Sequence, residues 1–322
     1  MRVSLLDRAR TRSGETDAEA VAGTVERAVR AERLGFDRFW TAEHHAVPGI
    51  ASAAPTLLLA AIGARTDRIR LGTGGIMVPN HRPLVVAEQA LLLESLYPGR
   101  VDIGLGGSLG FTAPVRRALG RTIVRDGAYA AEIAEILAYL DGRADITVRP
   151  RVDPPPVLLL AIQGGLTLAA ELGLPVVIGG PLLRDKKRLD AYFQNFRPSS
   201  LVPDPYLIAS VEVSVAETTE RARDLLLPEA WAYADSRDVG EFRALRPVAH
   251  VRRMLSGASS SKKIEAVRAW TDAAVAGTAE AVADALAKIV ERTGASEILA
   301  SVSTFERADV EDTDEFLAAL QS

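Results

Sequence analysis

Cysteine is absent from this 322-residue chain. That excludes a disulfide framework, thiolate catalysis and a cysteine-ligated metal site, and it fits a reducing cytoplasm. Lysine is scarce, 5 residues against 33 arginines, a bias we assign to codon usage and give no mechanistic weight. No basic stripe marks a nucleic-acid surface, and no block of like charge marks an interaction tail. The N-terminal stretch lacks the apolar core of a signal peptide. No uninterrupted apolar run approaches the ~18 residues of a membrane helix. The sequence therefore leads us to expect a cytoplasmic protein that engages neither membrane nor nucleic acid.

What is present is a large apolar fraction, 48%, with 42 acidic and 38 basic residues interspersed for a net charge of −4. Short β-branched runs alternate with longer Ala/Leu/Glu/Arg segments, the pattern of a parallel sheet with crossover helices. Strands are expected at Val3–Leu6, Arg38–Thr41, Ile69–Gly72 continuing into Gly74–Val78, Val101–Leu105, Val157–Leu160, Val176–Ile178, Leu207–Val215 and Glu297–Val302. Thr16 and Glu19 form a T-x-x-E capping box that opens the first helix. Pro55 and Pro83 open two others, and a last helix is expected over about 312–320. Eight strands in this order predict a closed TIM-type (β/α)8 barrel with helical insertions. We expect one domain over 1–322, with an insertion at about 217–276, and a mobile loop at Gly257–Lys263 (GASSSKK).

In such barrels chemistry sits where strands end. That selects Asp7, then Glu43-His44-His45, then Gly74–His81, then Gly104–Gly110 and finally Gln163-Gly164-Gly165. Three of the four histidines, His44, His45 and His81, fall in these segments. A histidine pair suits proton transfer near neutral pH or metal binding. Neighbouring histidines point in different directions and no carboxylate stands at helical spacing, so no metal is expected. A purely structural, hydrogen-bonded role is the other reading. Gly74-Gly75 permits close approach of a planar ligand or an atypical peptide, or else is a bulge that opens the rim. The run GLGGSLG is like a phosphate-cradling loop but lacks the Walker lysine and the acidic partner of a dinucleotide fingerprint. A plain flexible turn explains it as well.

Together the segments AERLGFDRFWTAEHH (31–45), TDRIRLGTGGIMVPNHRPLVVAEQ (66–89), SLYPGRVDIGLG (95–106), AAELGLP (169–175) and GTAEAVADAL (277–286) resemble the bacterial luciferase-like, flavin-dependent monooxygenases. The likeness is to the short, single-component members found beside biosynthetic genes. It spans nearly the whole chain and is strongest over 1–110. The resemblance implies a barrel that binds reduced FMN at its strand ends and uses O2 to oxidise an organic compound, natural products being among the candidates, with a separate flavin reductase as the source of reductant. It implies a homodimer paired through the helices after the second and third strands, where Leu57, Leu58, Leu59, Ile62, Leu91, Leu92 and Leu93 supply apolar surface. Some relatives use the deazaflavin F420 for hydride transfer instead.

Carried over by position, His44 faces the flavin's reactive edge, His45 supports it and Glu43 precedes them. Gly74-Gly75 falls where the family has a non-prolyl cis peptide beneath the ring. The phosphate end departs from the family. Gly107, between Gly106 and Ser108, stands where an arginine grips the FMN phosphate. Ala161 and Ile162, followed by Gln163, Gly164 and Gly165, stand where hydroxyls assist it. Two readings follow: an FMN monooxygenase with a loosened phosphate site, or a barrel that has lost flavin and serves as a partner subunit or flavin-independent catalyst.

Overall fold

The computed structural model describes residues 1–121, 127–161, 165–199, 202–239, 241–257 and 260–321. In chain order the elements are β1 (Val3–Asp7), α1 (Asp17–Arg33), β2 (Arg38–Thr41), α2 (Pro55–Gly63), β3 (Arg70–Met77), α3 (Pro83–Leu96), β4 (Val101–Gly106), α4 (Ala113–Ala118) and α5 (Ala128–Leu140). They continue with β5 (Val157–Ala161), α6 (Leu166–Leu172), β6 (Val176–Gly179), α7 (Lys186–Asn195), β7 (Leu207–Val215), α8 (Thr219–Val239), α9 (Val248–Ser256) and α10 (Ser261–Ala273). The chain ends with β8 (Val275–Gly277), α11 (Ala279–Thr293), β9 (Glu297–Ser301) and α12 (Arg307–Ala319).

Eight strands, β1 to β7 and β9, pair in parallel. The sheet closes because β9 bonds both β7 and β1, with Val3 opposite Ile298 and Ile208 opposite Glu297. This is the (β/α)8 barrel expected from the alternation. Parallel strands covered by helices are buried on both faces, so their sequences read as near-continuous apolar runs. Side chains of alternate residues fill the lumen, where Trp40, Leu158, Val177, Ile208 and Leu299 form one cluster. The strand N-terminal end is plugged by charge: Arg38 pairs with Asp102 and Glu297, and Glu297 also accepts from Ser4 and Tyr206. The opposite end, where the candidate residues lie, is left open.

Local rules account for most boundaries. The Thr16–Glu19 capping box is formed in both directions, and Pro55 and Pro83 each occupy the first turn of a helix. Three expectations need correction. Val275–Gly277, inside the segment expected as helix and irregular chain, is a ninth short strand on β7. Its backbone is ordered by Val213–Val215, a long-range pairing that local pattern does not announce. Gly257–Lys263 is not one loop, because Ser260 caps α10 by accepting from the Lys263 amide; residues 258 and 259 lie outside the described set. The last helix begins at Arg307, five residues before the expected start. Among the described residues, no helix is long and apolar enough to cross a membrane.

Candidate functional site

Helices α8, α9 and α10 pack on one another through Ala230, Trp231, Ala234, Val251 and Val267. The connector after α8 then straps across the open barrel end. Gly49 N donates to Phe242 O at 2.6 Å, Leu245 N to Thr11 O at 2.9 Å and Ser13 N to Leu245 O at 2.8 Å. Phe242 meets Phe111 edge-on, with centroids 6.3 Å apart, so the strap joins the loop after β4.

Beneath these loops lies a cavity of about 630 Å³, in the size range of small-molecule sites. Glu43, His44, His45, Gly74, Gly75, Gly106, Gly107, Ser108 and Gly165 all line it. Ala161 does not. It is fully buried at the end of β5 within the main core, because that strand position points outward between sheet and helices. Ile162, Gln163 and Gly164 lie outside the described residues. Asp7 is also turned away from the cavity. Its carboxylate accepts from Thr24 Oγ1, Ala9 N and Arg27, which ties β1 to α1.

The floor is bare backbone. The Gly74–Gly75 peptide is cis, and the register with β4 slips between Gly74 and Ile76. Both of the open readings of this pair are therefore realised. A Cβ on Gly75 would lie 2.8 Å from Gly104 O and 3.0 Å from Leu160 Cδ1, and one on Gly74 would meet Leu6 and Trp40. Only glycine leaves both contacts intact, so the floor presents a flat face free of side chains.

Glu43 is the hub of the wall. It is 3% exposed. Its Oε1 accepts from His45 Nε2 at 2.6 Å and His81 Nε2 at 2.7 Å, and its Oε2 accepts from Met77 N at 3.0 Å. Burial pushes this carboxyl up, but the His81 contact, the Met77 amide and His45 outweigh it and leave it below its ordinary value. Glu43 thus fastens the loop after β2 to the end of β3, beside the glycine floor. These three side chains are also the group, among the described residues, whose donor atoms converge closely enough to suit a metal ion. The sequence reading dismissed metal because His44 and His45 diverge; it did not foresee that His81 would join His45 from another strand. The hydrogen bonds already satisfy all three donors.

His44 is different. It is partly buried, and its Nδ1 is enclosed with no hydrogen-bond partner. Burial is the main cause that lowers its pKa to about 4, followed by Arg8 and Arg10, while Glu229 and Glu43 oppose the shift. The imidazole is therefore neutral at pH 7. Arg8 is held by Glu212 and by Ser303 Oγ at 2.8 Å. Arg10 Nε donates to Glu229 at 2.7 Å, and its guanidinium stacks on Phe242 at 4.7 Å. Sequence reasoning missed this quartet. Its members come from the segment after β1, from β7 and from α8, and share no motif.

Tyr129 was missed too. Its ring stands 3.4 Å from where a Gly107 Cβ would be, and its hydroxyl donates to Leu105 O at 3.3 Å. No lysine or arginine is among the described lining residues. Of three arginines on and just after α4, Arg116 donates to Gly110 O and Phe111 O, Arg121 pairs with Glu132, and Arg117 is exposed. The lining thus fits a planar ring, with a glycine floor, an enclosed imidazole nitrogen and apolar walls at Leu109, Phe111 and Leu160. Among the described residues it offers no cation for a phosphate.

Comparison with known proteins agrees with this architecture. The profile of the family described as luciferase-like monooxygenase matches residues 1–297. A luciferase-like monooxygenase of Escherichia coli K12 is 33% identical, covering 94% of this chain and 92% of its own. The crystal structure of apo-MsnO8 superposes with a TM-score of 0.89 at 29% identity, over 99% of this chain and 98% of that one. The oxygenating constituent of 3,6-diketocamphane monooxygenase from Pseudomonas putida, solved with FMN, superposes with a TM-score of 0.72 at 16% identity, over 99% and 96% of the two chains. The chain belongs to the luciferase-like monooxygenase family and is an oxidoreductase of that kind.

Proposed function

We propose that the protein is a flavin-dependent monooxygenase that binds reduced FMN in this cavity and oxidises a small organic substrate with O2. The observation that carries the reading is the flat Gly74–Gly75 floor with the neutral His44 imidazole at its edge. A bound reduced flavin supplies the electrons that activate O2, a chemistry none of the side chains provides. The chain's own residues bind and orient. Glu43 fixes the floor relative to the loop after β2, His45 supports that loop, and the Phe111–Phe242 contact shields the cavity from bulk water. Neutral His44 accepts a proton or a hydrogen bond from whatever lies on the floor. FMN is preferred to F420, whose tail adds anionic charge to a cavity whose described lining holds no cation. A separate reductase delivers the reduced cofactor.

The lack of a cation among the described lining residues is the feature that favours the alternative, a flavin-free barrel serving as a partner subunit or flavin-independent catalyst. Anaerobic titration with dithionite-reduced FMN separates the two. Saturable one-to-one binding is the expected result; no binding overturns the monooxygenase reading.

A homodimer through α2 and α3 belongs to the same proposal. Leu58, Leu59, Ile62, Leu91 and Leu93 are buried in the core, while Leu57 is 73% and Leu92 54% exposed. Leu96 adds to the same uncovered apolar face, of the kind that marks an interface. Light scattering at micromolar concentration is expected to give twice the 34.4 kDa chain mass, and Leu57→Glu with Leu92→Glu to give the monomer. A monomeric wild type contradicts the proposal.

A further inference from the structure

We infer that this cavity holds flavin by its ring alone and does not distinguish FMN from riboflavin. The inference rests on the flavin reading above and adds a ligand preference to it. Three observations carry it. First, the described lining contains no lysine or arginine, and one of its side chains, Glu43, is a carboxylate held in its charged form. Second, the side chain beside Gly107 is the uncharged Tyr129 ring, 3.4 Å from where a Gly107 Cβ would be, which leaves room for a substituent there but supplies no cation. Burial pushes the Tyr129 hydroxyl up to about 12, so it stays neutral, and it already donates to Leu105 O; it offers a phosphate no positive charge. Third, among the described residues four arginines of the surrounding segments are committed: Arg8 and Arg10 to Glu212 and Glu229, Arg121 to Glu132 and Arg116 to backbone carbonyls.

A phosphate dianion transferred from water into such a site loses hydration and gains only neutral donors. The isoalloxazine ring loses nothing comparable. It exchanges water for the glycine floor and for Leu109, Phe111 and Leu160. The binding free energy therefore resides in the part that riboflavin and FMN share.

The test is a pair of fluorescence titrations, oxidised riboflavin and oxidised FMN, each at low and high salt, repeated anaerobically with the dithionite-reduced forms. The expected dissociation constants agree within threefold, and that of FMN does not rise with salt. FMN binding tenfold or more tighter than riboflavin, with affinity that falls as salt rises, overturns the inference and leaves the flavin reading standing. Binding of neither flavin in either redox state overturns both. Gly107→Arg supplies a second arm. It is expected to tighten FMN by a factor of ten or more while leaving riboflavin within threefold, since a charge-assisted contact adds to the phosphate alone. Equal tightening of both flavins contradicts the inference.

Discussion

Replacing His44 with alanine is expected to lower turnover at least tenfold while leaving the fold intact. The ring lies at the rim and takes part in no core cluster. Its backbone contact, His44 N to Ser52 O at 2.8 Å, survives the substitution. The loss follows from removing the neutral His44 imidazole from the cavity edge, and general acid–base groups contribute about 10²–10⁴-fold. The check is product formed per reduced FMN, with circular dichroism as the folding control. Unchanged turnover would remove His44 from the site. The pH dependence has a definite sign. The unfolded chain protonates this histidine near 6.5 and the folded chain only near 4. Its contribution to stability is thus complete above 6.5 and is lost as pH falls toward 4, by up to about 3 kcal/mol. Denaturant midpoints measured at pH 7 and pH 4.5 should therefore draw closer together in His44→Ala than in wild type.

Replacing Arg27 with methionine is expected to cost about 3–5 kcal/mol of stability, the range for breaking a buried ion pair on one side. Arg27 donates to both oxygens of Asp314, at 2.9 and 2.8 Å, and to Asp7 at 2.9 Å. It thereby ties α1 to α12 and to the end of β1. Both carboxylates sit in low-dielectric surroundings, and without the guanidinium they face each other with Arg30 as the remaining partner of Asp314. Burial pushes the Asp7 carboxyl up, but the charge and hydrogen bond of Arg27, with the Ala9 amide and the Thr24 hydroxyl, leave it below the ordinary value. A lowered carboxyl stabilises the fold above its unfolded pKa of about 4 and loses that contribution as pH falls through the folded value. The gap between wild type and Arg27→Met should accordingly narrow on acidification. Urea midpoints at pH 7 and pH 4 measure both effects. A loss under about 1 kcal/mol at pH 7 would show that the pair is not a structural tie.

The barrel was legible because each strand announces itself locally. Val157–Ala161 and Val176–Gly179 are unbroken apolar runs flanked by Pro or Gly, and the helices between them carry capping residues or N-terminal prolines. The rim segments followed from strand ends alone, so Glu43, His44, Gly74, Gly75 and Gly107 could be named in advance. What stayed hidden depends on convergence of distant parts. The Glu43 link between His45 and His81 joins two strands. The arginine–carboxylate quartet beside His44 draws on the segment after β1, on β7 and on α8. Tyr129 reaches Gly107 from α5, 22 positions along the chain. No spacing rule relates such residues, because their separation is set by how the barrel closes and by where α8 docks. Ala161 was misplaced for the converse reason: a strand end faces either lumen or helix layer, and a one-residue difference in phase exchanges the two.

The central claim is that a reduced flavin lies on the Gly74–Gly75 floor, and anaerobic titration of wild type beside Gly75→Val, followed by quenching of tryptophan fluorescence, tests it most directly. A valine Cβ would sit 2.8 Å from Gly104 O, so the floor must shift or the branched side chain must rise into the cavity. The account predicts one-to-one binding of reduced FMN by wild type and at least a tenfold weaker affinity in Gly75→Val, with matching circular dichroism spectra. Failure of wild type to bind reduced FMN, or equal binding by a folded Gly75→Val protein, would contradict it.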